Sequence, residues 1–153
     1  MKKIRKSVAL VLKYGTLLST IGFVVATLVQ IYARFFMESA PSWTEEAARF
    51  FFVFAVSFAS GLAMKDGSYV HFDVFYNKIN KKYQGAIRTV ISILSFALFL
   101  IVTIYAFQFV RMGVSENSPS LSISMGIAFV SIAFMGLSIS FFAFLDVLKN
   151  LKK

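Results

Sequence analysis

The sequence predicts an all-α integral membrane protein: four transmembrane helices, both termini cytoplasmic, and a short amphipathic interfacial helix between helices two and three. Three observations predict it. Hydrophobic residues make up 58% of the 153 residues and charged residues only 15%, with 19 Phe. A soluble domain of this size leaves roughly a third of its chain-exposed surface wet, so it cannot hide that much apolar side chain. Apolar runs over approximately 14–36, 43–64, 87–110 and 121–145 each reach the length of about 20 residues that a helix needs to cross a bilayer core. The basic residues flank these runs instead of forming one module. The net charge of +9 is therefore a topology signal, and no nucleic-acid partner is expected. The chain, 1–153, reads as a single membrane domain.

Helix one follows a basic stretch holding Lys2, Lys3, Arg5, Lys6 and Lys13. That stretch resembles the start of a signal peptide. The apolar part after it is too long for a cleaved core and lacks a small-residue cleavage site, so a retained helix is expected. Gly15, Ser19, Gly22, Ala26 and Ala33 fall at helical spacing on one face. Small residues let another helix approach closely, and the stripe reads as packing rather than a pathway.

Helix two opens after Pro41. Ser42 with Glu45 three residues on matches a capping box, Trp43 suits the headgroup level, and Glu45 can pair with Arg49 on one face. Ser57 with Gly61, and Ala59 with Ala63, place small residues four apart in its second half. The helix ends near Lys65, Asp66 and Gly67, followed by the lone His71.

Phe72, Phe75, Tyr76, Ile79 and Tyr83 then recur at helical spacing, with Asp73, Asn77, Lys78, Asn80, Lys81 and Lys82 on the other side. This predicts an amphipathic helix on a membrane surface, its lysines toward lipid headgroups; a partner-binding helix fits the same pattern. Helix three follows, with Arg88 free to snorkel at its start. A polar turn with Glu116, Asn117 and Pro119 leads to helix four, where Gly126, Ala133, Gly136, Ser140 and Ala143 form a second small-residue face.

Charge sets the orientation. Arg34, Arg49 and Arg111 fall on one side of the membrane and the rest of the 16 Lys and Arg on the other. The positive-inside rule makes the lysine-rich side, with both termini, cytoplasmic. Glu38, Glu45, Glu46 and Glu116 lie outside; Asp66, Asp73 and Asp146 lie inside.

The chemistry the sequence omits is equally informative. With no Cys there is no disulfide framework or thiolate metal site. One histidine cannot supply paired haem ligands. There is no zinc-ligand cluster and no phosphate-binding glycine loop. No Asp or Glu falls near the centre of an apolar run, where a self-sufficient ion-coupled carrier needs one. His71 with Asp66 or Asp73 is the one acid–base pairing available, weighed against a hydrogen-bonded structural histidine. No catalytic residue, metal, cofactor or substrate site is expected in this chain.

The stretch P-S-W-T-E-E-A-A-R-F-F-F-V-F, Pro41 to Phe54, resembles the small membrane subunit of tripartite ATP-independent periplasmic (TRAP) transporters. The family carries a W-x-E-E-x-A-R segment at the start of its second of four helices; Trp43, Glu45, Glu46, Ala48 and Arg49 match it. Gly61, Ala63, Lys65, Gly67 and His71, with Asp73 and Val74 after it, are similar to the small-residue, basic, glycine and histidine run that ends that helix. Ser118, Pro119 and Leu121 match a Ser-Pro-x-Leu segment before helix four, and Ser124 stands where the family often has a further proline. The topology covers nearly the whole chain; the motifs cover a smaller part.

The resemblance implies a non-catalytic scaffold beside a large membrane subunit that holds the substrate and sodium sites. It also implies a periplasmic solute-binding protein that delivers an organic acid such as a dicarboxylate or sialic acid. On that reading Trp43, Glu45, Glu46, Arg49, Lys65, Gly67 and His71 anchor helix two. Glu38, Glu45, Glu46, Arg49 and Glu116 are candidates for docking the binding protein, against the plainer reading that Glu45 and Arg49 only anchor a helix end. Gly15, Ser19, Gly22, Ala26, Gly126, Ala133, Gly136 and Ser140 are packing candidates, within the chain or onto the large subunit, and the Phe-rich sides face lipid or that subunit. Two other classes compete: an autonomous four-helix multidrug-type transporter, which wants a membrane-embedded acid, and a membrane assembly protein with no transport role.

Overall fold

The structure, a computed structural model, describes residues 2–37, 41–67 and 81–151. Glu38, His71 and most of the expected amphipathic helix lie outside the described residues. The described chain forms α1 (Lys2–Phe36), α2 (Ser42–Asp66), α3 (Lys81–Gly113) and α4 (Gly126–Leu151). All 4 are long and apolar enough to cross a membrane.

Helix ends depart from the apolar runs for local reasons. The basic N-terminal stretch is part of α1, which has 35 residues and at about 1.5 Å per residue outreaches a core of about 30 Å. Its Lys, Arg, Leu and Ala are good helix formers, and no Gly interrupts them before Gly15. The described part of α3 likewise already includes Lys81, ahead of Ile87. α4 begins at Gly126, not Leu121. The apolar Leu121 and Ile123 belong to the preceding loop, where the Ser118 N–H donates to Ile123 O at 2.8 Å and Ser122 takes a left-handed φ of 54°.

At α2, Pro41 occupies the N-cap position, and no side-chain cap bond forms. The expected Ser42–Glu45 capping box is therefore absent: Ser42 is already inside the first turn. Thr44, fully buried, donates both its N–H (3.2 Å) and its hydroxyl (2.8 Å) to Pro41 O instead. The other end closes on Gly67, whose left-handed φ of 68° suits glycine and whose N–H reaches Met64 O at 3.3 Å.

The helices stand in a row, in the order α1, α2, α4, α3, with extensive contacts only between neighbours. α1 and α2 are antiparallel, Gly15 against the Phe58 ring and Gly22 against Phe51. α3 and α4 are antiparallel, Gly136 against Thr103 and Gly113 against Phe129. The middle pair is parallel: Gly61 of α2 meets Ser138 of α4, and one turn earlier Phe58 meets Phe134 with ring centroids 5.5 Å apart. One end of the row thus carries the end of α1, the start of α2 and the 114–125 loop; we call it the hairpin end. The other, the terminal end, carries the start of α1 and the end of α4.

Near the terminal end Ala9 and Leu12 of α1 reach past α2 to Phe142 of α4, with Phe58, Leu62 and Leu145 packed around them. Elsewhere α1 and α3 each have one neighbour. Only 11% of the apolar stretch of α1 and 17% of that of α3 is buried, against 44% for α4. The hydroxyls of Thr16, Thr27, Ser92 and Thr103 bond to carbonyls four residues back in their own helices at 2.7 to 2.9 Å, which satisfies them without a partner helix.

Candidate functional site

Two adjacent acids in the first turns of α2 point in different directions. Glu45 lies on the exposed side and accepts from Arg49 Nη2 at 2.8 Å, an i,i+4 pair whose side chains are 64% and 70% exposed. Glu46, one residue on, turns toward the 114–125 loop. Its carboxylate accepts the Ser118 hydroxyl, the Ser120 N–H (3.1 Å to Oε2) and the Leu121 N–H (2.9 Å). Two successive backbone N–H groups and a hydroxyl make a small anion nest, and bonds to a charged acceptor are the stronger kind.

The loop is shaped to present those donors. Met125 N–H donates to Glu116 O (2.8 Å), and Ser122 N–H to Ser118 O (3.1 Å). Ser124 joins the loop to both flanking helices: its hydroxyl lies 3.0 Å from Gly113 O and accepts the Gly126 N–H at 3.2 Å. A proline at 124 would lack that hydroxyl. Ser118 is buried. Glu46 therefore stitches α2 to the α3–α4 hairpin across the middle of the row, leaving its oxygens committed within the chain.

The other residues singled out by sequence are dispersed. Trp43 is 46% exposed at the start of α2. Glu116 is exposed on the loop. Lys65 and Asp66 pair at 2.9 Å at the terminal end, the length of α2 away from Glu45. Ser19 and Ala26 are buried on the α2 side of α1; Gly126, Ala133, Gly136 and Ser140 are buried along α4. Several phenylalanines expected to face lipid or a partner lie inside the row, Phe58 between α1 and α4 among them. Sequence reasoning weighted Glu45 and Glu46 alike. It missed Ser120 and the contact with Ser118, which lies 72 residues along the chain, beyond any helical periodicity. Among the described residues, no group of three or more His, Cys, Asp or Glu could hold a metal ion.

Two comparisons with known proteins bear on this arrangement. A family model described as "Tripartite ATP-independent periplasmic transporters, DctQ component" matches residues 23–153. A protein of Haemophilus influenzae, named as a TRAP transporter small permease protein, is 21% identical over 151 residues, spanning 99% of this chain and 92% of that protein.

Proposed function

We propose a role that starts from one premise: the chain belongs to the DctQ component family of tripartite ATP-independent periplasmic transporters, as a small subunit and a multi-pass protein of the bacterial inner membrane. Its role is a fixed, non-catalytic scaffold. Beside it stands a large membrane subunit that carries the substrate and the coupling ion, sodium, down its gradient. A periplasmic solute-binding protein delivers the cargo, an organic acid of the dicarboxylate or sialic acid type.

The observation that carries this reading is the open row. With α1 and α3 at opposite ends, the four described helices do not close around a central site, and the two outer helices keep broad apolar sides that a second membrane subunit or lipid can cover. By the positive-inside rule the terminal end is cytoplasmic and the hairpin end periplasmic. Glu45, Arg49 and Glu116 then face the binding protein, with Glu38 beside them in sequence, while Glu46 acts indirectly by holding the loop that carries Glu116. Gly15, Gly22, Gly61 and Gly136 set the spacing of the scaffold.

The test is purification of the tagged chain from its native membrane, followed by uptake in proteoliposomes. A large membrane protein co-purifies, uptake requires the binding protein, and the chain alone moves no solute. Solute movement by the chain alone sinks the scaffold role. Charge reversal at Glu116 or Glu38 lowers binding-protein-dependent uptake without loss of assembly; unchanged uptake removes the docking role.

A further inference from the structure

At the terminal end α1 and α2 flank an open crevice of about 480 Å³, lined by Ala9, Leu10, Lys13, Leu62, Lys65 and Asp66. Its shape follows from the antiparallel pair. Side chains on a helix lean toward that helix's N-terminus. Lys13, inside α1, therefore leans outward to the terminal end, and Lys65, in the last turn of α2, leans inward. The two lysines converge on one crevice although they start at different depths. Arg5 closes the outer edge, donating from Nη2 to Lys65 O at 3.2 Å.

The charges are unbalanced. Lys65 Nζ lies 2.9 Å from Asp66 Oδ1, which takes one of its three donors. Lys13 has no ion-pair partner among the described residues. Among the described residues at this crevice, Arg5, Lys13 and Lys65 stand against the acid Asp66. Below them Tyr14, Leu17, Leu18 and Ile21 continue along α1 toward mid-membrane with their side chains exposed. A cationic mouth thus opens onto an apolar track at the level where the apolar span ends.

We propose that this crevice binds an anionic phospholipid: the phosphodiester sits between Lys13 and Lys65, and one acyl chain runs along the exposed side of α1. Basic pockets between membrane helices suit such headgroups, whereas a zwitterionic lipid brings its own cation and gains little there. A free phosphate shares the charge but cannot use the apolar track. The proposal needs only that the chain spans a membrane, and it stands with either orientation.

The test is native mass spectrometry of the full chain in detergent, titrated in separate arms with phosphatidylglycerol, phosphatidylcholine and inorganic phosphate. The wild type binds one phosphatidylglycerol preferentially, K13Q/K65Q binds it about tenfold more weakly, and phosphatidylcholine binding is the same in both. K13R/K65R keeps the charges and the binding. K6Q, on α1 but outside the crevice, binds as the wild type does. Phosphatidylglycerol binding undiminished in K13Q/K65Q, lost in K13R/K65R, or reduced as much by K6Q overturns the site. Inorganic phosphate binding as tightly as phosphatidylglycerol overturns the lipid assignment in favour of a free-anion site.

Discussion

The inner helices α2 and α4 and the outer helices α1 and α3 have similar composition and quite different surroundings. The inner helices α4 and α2 bury 44% and 22% of their apolar stretches, the outer helices α3 and α1 17% and 11%. Hydrophobicity does not separate them, because lipid tails are as apolar as a leucine side chain. The α2–α4 and α1–α2 seams differ instead in what each close approach meets and in where polar groups cross. Between α2 and α4 lie Gly61 against the short, stiff Ser138 and Glu46 against the loop before α4. Between α1 and α2 the glycines of α1 meet rings: Phe51, which is 42% exposed, and Phe58, itself packed against Phe134. The α2–α4 seam joins a small-residue contact to a carboxylate at its hairpin end, whereas the α1–α2 seam packs glycines against rings and has a polar crossing at its terminal end, Arg5 Nη2 to Lys65 O.

Substitutions at the two seams test this contrast. The largest effect is expected from Gly61→Val, since a Cβ there falls 2.5 Å from Ser138 Oγ; overpacking of this kind costs about 1–3 kcal/mol, read as a lower thermal midpoint in detergent. Gly22→Val puts its Cβ 2.7 Å from Phe51, but that ring is 42% exposed and can swing toward lipid. A loss as large as that of Gly61→Val would erase the distinction between the seams. Next, Glu46→Gln removes the charge that gathers the loop donors. Hydrogen exchange at the Ser120 and Leu121 amides should rise about tenfold, while Glu45→Gln leaves both unchanged; equal protection in the two variants would mean that the loop holds itself. Ser124→Ala, which removes a hydroxyl bonded within the α3–α4 hairpin, costs about 1 kcal/mol and leaves the α2 contact in place. The smallest effect belongs to the outward pair: Glu45→Ala changes stability by less than about 0.5 kcal/mol, and high salt removes even that.

How much of this was legible in the sequence depends on what enforces each feature. The bilayer enforces the four spans, so composition and run length place them. Helix ends answer to local chemistry instead. Leu121 and Ile123 look like a span but belong to a loop held by its own backbone bonds and by Glu46, and Lys2–Lys13 look like a flank but continue a helix. The stripe Gly15, Ser19, Gly22, Ala26 announces a close neighbour without saying which. That the neighbour's contribution is two phenylalanines, and that α2 lies between α1 and α4, needs three-dimensional information. Glu46 is the clearest limit. Its sequence environment is nearly that of Glu45, and the difference lies in about 100° of helix rotation and a loop far along the chain.

The parallel course of α2 and α4 has an electrostatic consequence. Peptide dipoles add along a helix, leaving partial positive charge at the N-terminus and partial negative charge at the C-terminus. Two parallel neighbours align those ends side by side, which is unfavourable unless charges answer them. Glu45 and Glu46 stand at the start of α2, and Arg5 donates to Lys65 O, among the last carbonyls of that helix. Every helix has a basic residue in its last turn: Arg34, Lys65, Arg111 and Lys149. Arg34 and Arg111 are two of the three cations at the hairpin end, and the third, Arg49, is paired with Glu45. The cations that run against the chain's charge asymmetry thus each stand near local negative charge: a carboxylate for Arg49, and the partial negative charge at the C-terminal ends of α1 and α3 for Arg34 and Arg111.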